Sequence, residues 1–267
     1  MHGAMREMAQ RFAELVAHRE LLWTLALREI QVRYRQALLG VAWAILQPVA
    51  LMTVFTIFFG WFLRVPSEGA PYPIFAYSAL LPWLFFAACL SGGVSSLTSN
   101  AALVGKVAFP RAVLPLAAML AAALDFLVGA AAFAILLAIY GVGPTRQLLY
   151  LPLLFAIQVL FTAGLVLFLA ALNVAYRDVR HVLPLLTQLW MFATPVIYPL
   201  SVVPEPYRFW AWLNPMSALV DGYRRVVVHG TPPDPAALGL AAGISLALLL
   251  GAFRYFTRAE GEFADVI

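Results

Sequence analysis

The chain has 267 residues, of which 63% are hydrophobic and 11% are charged. Soluble domains carry about 25% charged residues, so this composition excludes an ordinary soluble protein and indicates an integral membrane protein. The one cysteine, Cys89, excludes a disulfide bond within the chain.

Six long runs of the sequence contain almost no charge. They hold one carboxylate, Asp125, and no lysine or arginine. A bilayer core about 30 Å thick requires roughly 20 apolar residues of helix, and a charge at its centre costs about 2.5–3.5 kcal/mol. We therefore predict an all-α integral membrane protein with six membrane-spanning helices, in a single transmembrane domain over residues 1–267. The runs are 36–63, 69–105, 112–145, 147–176, 182–204 and 235–253. The predicted spans are 36–63, 72–98, 113–140, 148–176, 182–199 and 236–256.

The basic residues predict the orientation. If the six spans alternate, twelve of the 17 lysines and arginines fall on the side of the amino terminus and five on the other side. Positively charged loops stay in the cytoplasm, so both termini are predicted to be cytoplasmic. The net charge of +4 is then a topology signal, and no nucleic-acid partner is expected.

Residues 5–35 predict an amphipathic helix on the inner membrane surface. Apolar side chains recur there at helical spacing, while polar side chains fall on the other side. The apolar positions are Trp23, Leu27, Ile30 and Tyr34, and the polar positions are Arg28, Gln31 and Arg35.

Asp125 lies in the third span, and no span offers it a basic partner. A carboxylate inside a membrane points to function by default, through transport chemistry. With a single such residue, a hydrogen-bonded contact between helices is the favoured interpretation.

Residues 200–234 do not resemble an ordinary loop. Five prolines interrupt a segment that is rich in apolar and aromatic residues, and each piece is too short to span the membrane. We predict a re-entrant or interfacial helical hairpin on the outer side. The alternative is a loop lying on the membrane surface.

No catalytic motif is present in the sequence. Gly105-Lys106 is followed by Val107 and lacks the upstream glycine of a phosphate-binding loop, and the four histidines are scattered. We therefore predict that the chain is not an enzyme and binds no cofactor. Energy for uphill transport would have to come from a partner.

Six motifs carry a family resemblance. They are residues 27–35 with Leu38-Leu39-Gly40, Trp43 and Gln47-Pro48; residues 106–111 with Leu114-Pro115; Asn173 with residues 176–179; residues 194–199; residues 213–216 with Arg224; and residues 262–267. Together, and in this order along the chain, these motifs resemble the membrane subunits of polysaccharide ABC exporters. Those subunits are type-2 ABC permeases that export lipid-linked O-antigen, capsular polysaccharide or teichoic acid.

The resemblance implies an amino-terminal interface helix, six spans and short outer re-entrant helices between spans five and six. It also implies a homodimer in the bacterial inner membrane, in which each copy docks a cytoplasmic ATPase that binds ATP and Mg. The segment 99–111 would be the coupling helix that transmits motion from the ATPase. Its candidate residues are Asn100, Lys106, Phe109, Pro110 and Arg111.

Two further sets are candidate substrate contacts. Arginines at the inner surface could attract a pyrophosphate-linked lipid, although topology and contact with anionic lipids explain them equally well. That set is Arg28, Arg33, Arg35, Arg177 and Asp178, of which the last two could instead fix the turn between two spans. Aromatic rings stack on sugars and could line a channel or gate, although they also pack cores. That set is Phe55, Phe59, Trp61, Phe86, Tyr198, Trp210 and Trp212.

The predicted function is a permease that threads a lipid-linked, O-antigen-like polysaccharide outward through a pore. The same fold could export teichoic acid, capsule, a drug or a small lipid. An ATP-independent channel and a membrane enzyme acting on lipids are the alternatives from other classes. The enzyme is disfavoured because it would require acidic or histidine side chains at one membrane depth.

Overall fold

The computed structural model describes residues 13–35, 40–107 and 109–263, and these parts of the chain contain helices and no β-strand. The all-α membrane fold is therefore as predicted. The helices are α1 (Arg19–Tyr34), α2 (Trp43–Phe62, with a π-helix at Thr56–Phe62), α3 (Tyr72–Ser99), α4 (Ala101–Lys106), α5 (Val113–Ile139), α6 (Leu151–Ala175), α7 (Val179–Ala193), α8 (Glu205–Trp212), α9 (Pro215–Arg224) and α10 (Pro235–Ala259). Parts of the predicted segments 5–35 and 36–63, and Leu38-Leu39, Ala108 and residues 264–267 of the motifs, lie outside the described residues.

Within the described residues, five helices are long and apolar enough to cross a membrane. They are α2, α3, α5, α6 with the short helix before it (Arg146–Ala175), and α10. The fifth predicted span, 182–199, has different bounds, because α7 begins at Val179 and ends at Ala193. Its 15 residues extend only about 22 Å. The total of six spans stays a prediction.

Helix α7 ends where it does because Thr194 precedes Pro195. A residue before proline is pushed into extended conformation, and Thr194 has φ −101° and ψ 139°. The chain then continues without helical structure to Pro199. The Tyr72 hydroxyl, at the start of α3, donates a hydrogen bond of 2.9 Å to the Ile197 carbonyl. The chain therefore reaches the start of α3 in this non-helical form.

Helix α3 forms the centre of the bundle, with α5 and α6 packed along it. Its side chains Phe75, Phe86 and Cys89 are completely buried. The segment 200–234 covers the start of α3, and we call this the hairpin end. Helix α1 and the segment 99–111 lie near the last turns of α3. We call this end of the bundle the amino-terminal end, because α1 lies there.

Helices α6 and α10 approach each other closely at Gly164. A Cβ atom at this position would lie 2.9 Å from the backbone nitrogen of Leu249, closer than real Cβ contacts. Only glycine therefore allows the two backbones to meet, which is the usual role of small residues between membrane helices.

Helix α7 packs on one side only. It contacts α3 and α6, and Leu183 is its one buried residue. Leu185, Leu186, Leu189 and Phe192 are all more than half exposed in the single chain. Such an apolar face requires lipid or another protein against it.

Two short helices, α8 and α9, occupy the segment predicted as a re-entrant hairpin. The Asn214 side chain accepts a hydrogen bond from the backbone N–H of Met216, and Pro215 occupies the first helical position of α9. This is a favourable helix start. Helix α9 is almost entirely buried, whereas α8 exposes Tyr207, Phe209 and Trp210.

Candidate functional site

The non-helical segment after α7 is buried, and its backbone requires partners. Thr194, Val196 and Ile197 are nearly inaccessible. Irregular backbone at membrane depth is stable only where protein supplies the missing hydrogen bonds. Here, side chains of the hairpin and of α3 supply them.

Arg224, the last residue of α9, makes the central contribution. Its Nη2 donates to the carbonyl oxygens of Pro195 at 3.1 Å and Val196 at 3.2 Å. Its guanidinium carbon lies 3.7 Å from the centre of the Phe75 ring, in a cation–π contact. The side chain is only 1% exposed. A single arginine of the hairpin therefore contacts both the non-helical segment after α7 and the central helix α3.

Further polar contacts hold the hairpin in place. Asn214 Nδ2 donates to Thr194 Oγ1 at 2.9 Å. The Tyr223 hydroxyl donates to Gln158 Oε1 at 2.9 Å, and Gln158 Nε2 donates to the Pro82 carbonyl at 2.7 Å. These bonds connect α9 to α6 and α3, so the hairpin is part of the packed core.

Asp125 has a basic partner, and it comes from the amino-terminal helix. Arg33 Nη1 forms an ion pair with Asp125 Oδ2. The Tyr34 hydroxyl donates to Asp125 Oδ1 at 2.5 Å. Burial, and then the hydrogen bond to Asp125, raises the pKa of Tyr34 to about 12, so this hydroxyl is a neutral donor at physiological pH. The sequence predicts that no membrane span holds a basic partner for Asp125. This contact agrees with that prediction, because Arg33 belongs to α1, which is not one of the predicted spans.

The ion pair fixes α1 against α5. Leu25 and Ala26 are the buried residues of α1, and they pack against a cluster that includes Ala112 and Val113 at the start of α5. The predicted apolar stripe of α1 is not the face that packs against α5, because Trp23 and Leu27 of that stripe are exposed. The stripe is therefore free to contact lipid or another protein.

A cavity of about 660 Å³ lies beside the ion pair. Its wall contains Arg33, Tyr34 and Asp125, together with Trp43 and Gln47 at the start of α2. Helix α3 contributes Ser91. The cavity is thus an amphipathic space bounded by α1 and the first three spans.

The candidate coupling residues lie together at the amino-terminal end. Asn100 joins α3 to α4, and its Nδ2 donates to the Ser96 carbonyl at 2.9 Å. Lys106 is exposed, whereas Phe109 and Pro110 are half-buried. Phe109 packs against the cluster of Leu97, Val104 and Val113.

Arg111 ties this segment to the end of α10. Its backbone N–H donates to Glu260 Oε1 at 2.6 Å, and its Nη1 donates to the Glu260 carbonyl. Phe263 is buried nearby against Phe256. Movement of the 99–111 segment is therefore linked to α10 as well as to α3 and α5.

The other candidate headgroup residues lie apart from one another. Arg28 and Arg35 are exposed on α1, and Arg177 and Asp178 are exposed in the tight turn between α6 and α7. Of the five candidate headgroup residues, only Arg33 lies in a polar cluster, which it forms with Tyr34 and Asp125.

The candidate channel aromatics divide into core and surface residues. Phe86 is fully buried against Phe161 and Trp190, so in the single chain it is a core residue, and its role in a channel or gate stays a prediction. Phe55 is also buried, against Phe59. Trp61 and Trp210 are 70% and 67% exposed. Tyr198 and Trp212 are half-buried near the hairpin end.

Comparison with known proteins identifies the class. Residues 20–228 match the family described as ABC-2 type transporter. Because this match covers most of the chain, the protein belongs to the ABC-2 type transporter family. It is a multi-pass membrane subunit of a transporter and not an enzyme.

Individual relatives align over most of their length. The chain is 35% identical to the O-antigen export system permease protein RfbA of Myxococcus xanthus over 95% of this chain and 98% of that protein. It is 28% identical to the protein of the same name from Klebsiella pneumoniae, over 79% of this chain and 82% of the relative. It is 27% identical to the polysialic acid transport protein KpsM of Escherichia coli, over 88% and 92%.

Proposed function

We propose that this chain is the channel-forming permease subunit of an exporter that moves lipid-linked, O-antigen-like polysaccharide across the bacterial inner membrane. A separate ABC ATPase binds ATP and Mg and supplies the energy. The observation that carries the proposal is the 35% identity to an O-antigen export permease along 98% of that protein. Such coverage supports a path for the same class of substrate through both chains.

Two copies are proposed to form the pore. The exposed apolar face of α7 supports this, because such a face requires lipid or another protein against it and a second copy would cover it. Phe58, Trp61 and Phe62, at the end of α2, are exposed as well. Each copy would bind one ATPase through the segment 99–111.

Deleting the gene and purifying the tagged protein test the proposal together. The deletion strain is expected to lose its surface polysaccharide and to accumulate the lipid-linked polymer inside the cell. The tagged chain, extracted in mild detergent, is expected to co-purify with a near-equimolar ATPase. Purification without an ATPase would instead favour an ATP-independent channel.

Substitutions in the coupling segment are predicted to separate ATP hydrolysis from export. Phe109→Ala removes a ring that packs against the cluster containing Val104 and Val113, and Pro110→Gly loosens the backbone beside it. Coupling changes of this kind amount to about 1 kcal/mol, or roughly fivefold less polymer exported per ATP. Export and ATPase activity would be measured in reconstituted vesicles. Val107→Ala, at an exposed neighbour, is the control, and unchanged coupling in both test variants would contradict the proposed lever.

Cysteine labelling is predicted to place the amino-terminal end in the cytoplasm. Cys89 is buried, so a Cys89→Ala background is suitable for single reactive cysteines. In intact spheroplasts, an impermeant maleimide should label the Tyr207→Cys variant and not the Lys106→Cys variant, because both positions are exposed but at opposite ends. Labelling of position 106 without permeabilisation would reverse the orientation.

A further inference from the structure

The turn after α10 carries a carboxylate that none of the sequence motifs includes. Glu260 begins the short 3-10 helix Glu260–Glu262, directly after the last residue of α10. It is half-buried and contacts Arg111, which lies 149 residues earlier in the chain. This contact joins the end of α10 to the segment 99–111, through which the ATPase is proposed to act.

The contact between Glu260 and Arg111 is reciprocal. Glu260 Oε1 accepts a hydrogen bond of 2.6 Å from the backbone N–H of Arg111, and Arg111 Nη1 donates to the backbone carbonyl of Glu260. Each side chain therefore bonds to the backbone of the other residue. Such a pair fixes the two backbones relative to each other more closely than an ion pair between the tips of two long, flexible side chains.

The surroundings of Glu260 favour this contact. Arg111 lies just before Val113, the first residue of α5, and the start of a helix carries partial positive charge that stabilises a carboxylate. Beyond the turn, Phe263 is 2% exposed and meets the Phe256 ring edge-on, with 5.4 Å between the ring centres. This apolar contact holds the turn against the bundle independently of the Glu260 side chain.

Helix α10 is a continuous connection between the two ends of the bundle. It contains 25 residues and extends about 37 Å, and its only proline is at the first position, where proline does not kink a helix. At the hairpin end, the Asp234 side chain accepts hydrogen bonds from the backbone N–H groups of Ala236 at 2.9 Å and Ala237 at 3.0 Å. A well-formed helix of this length can carry a displacement from one end to the other.

The start of α10 is packed against the hairpin. Helix α10 contacts both α8 and α9. Ala237 and Ala241 of α10 are buried in the same hydrophobic cluster as Leu219 and Tyr223 of α9. Closely packed interiors transmit displacement, so movement of α10 is passed to the hairpin.

We propose that Glu260 is a positioning residue that makes α10 follow the segment 99–111, so that motion imposed by the ATPase reaches the hairpin through α10. The inference rests on the proposed function, in which this segment receives that motion, and it adds a route to the outer side. Helix α3 is joined to the segment directly at Asn100 and follows it whether or not the Glu260 carboxylate is present. A change at Glu260 therefore separates the route through α10 from the route through α3.

Two substitutions of Glu260 test the route. Glu260→Ala removes the acceptor for the Arg111 N–H, whereas Glu260→Gln keeps an oxygen that can accept the same bond. Glu20→Ala is the matched control, because it makes the same change at an exposed position of α1, at the same end of the bundle. Each permease is purified with its ATPase and reconstituted in vesicles with the lipid-linked polymer, and ATP hydrolysis and polymer export are both measured.

A second measurement follows the hairpin itself. Tyr207→Cys on α8 is exposed and is placed in the Cys89→Ala background. The rate at which an impermeant maleimide labels position 207 is compared with and without ATP. A change of this rate on adding ATP reports movement at the hairpin end, and a purely structural role of Glu260 would not abolish it.

We expect Glu260→Ala to keep its bound ATPase and its rate of hydrolysis but to export roughly fivefold less polymer per ATP, with Glu260→Gln and Glu20→Ala within about twofold of wild type. The effect of ATP on labelling should disappear in Glu260→Ala and return in Glu260→Gln. Loss of the ATPase from Glu260→Ala, an equal fall in hydrolysis and export, or a defect in Glu260→Gln as large as in Glu260→Ala would each overturn the role of Glu260.

The same assay distinguishes failure of this inference from failure of the proposed function. Export by the wild-type complex together with unchanged coupling in Glu260→Ala would overturn the role of Glu260 alone. A wild-type complex that hydrolyses ATP and exports no lipid-linked polymer would overturn the proposed function.

Discussion

Replacing Arg224 with methionine is expected to lower the free energy of unfolding by about 2–4 kcal/mol. Methionine fills much of the same volume but donates no hydrogen bond. The carbonyls of Pro195 and Val196 would then be buried without a partner, and the cation–π contact with Phe75 would be lost. The midpoint of thermal unfolding in detergent should fall by roughly 5–10 °C.

Arg225 provides the control for this substitution. It is the next residue along the chain, but its side chain is 41% exposed and pairs with Asp221 over one helical turn. Such pairs contribute about 0.3–0.5 kcal/mol, so Arg225→Met should unfold close to wild type. Arg224→Lys keeps the charge but cannot reach two carbonyls and stack at once, so an intermediate loss is expected. Equal stability of the Arg224 and Arg225 methionine variants would refute the role assigned to Arg224.

Breaking the Arg33–Asp125 ion pair is expected to release α1 from α5. Asp125→Asn leaves the Arg33 guanidinium beside the bundle without its counter-ion, and Arg33→Gln leaves the carboxylate in the third span in the same way. Each change should cost about 1–2 kcal/mol. The double variant should cost less than the sum, with a coupling of about 1 kcal/mol in a double-mutant cycle.

Two measurements separate a structural role from a transport role for Asp125. Thermal unfolding reports the coupling energy, and polymer export reports transport. Tyr34→Phe removes one hydrogen bond to Asp125 and keeps the ion pair, so it should cost less than either charge change. Export that fails in Asp125→Asn but returns in the double variant would support positioning of α1. Export that fails in both, at normal stability, would show that the carboxylate itself takes part in transport.

Much of the fold could be predicted from the sequence because charge is so strongly excluded from lipid. Five of the predicted spans overlap α2, α3, α5, α6 and α10, and their ends lie within three residues of the helix ends except at the start of α2. The fifth segment was harder, because hydropathy does not distinguish a helix from buried extended chain. Thr194-Pro195 marks the end of α7, but the hydropathy of the following residues continues to indicate a span.

The polar connections could not be predicted from one sequence. Arg33 and Asp125 are 92 residues apart, and nothing local to either residue identifies the other. Arg224 lies next to Arg225 and three residues after Asp221, so nothing in the sequence distinguishes it from a solvated charge. The burial of Phe86 could not be predicted either, because an aromatic residue in a span is equally compatible with a core and with a pore wall.

The close contact at Gly164 has a consequence for movement within the bundle. Because the backbones of α6 and α10 touch there, the two helices cannot slide or separate without losing close packing, and we expect them to move as one unit. Helix α7 has a single buried side chain, and the non-helical segment after it is held by side chains of Arg224, Asn214 and Tyr72. The cost of displacement is therefore lowest there. We therefore expect a path for the polymer to open by movement of α7 against α6 and α10, and a change at the end of α7 to leave a well-folded protein that does not open.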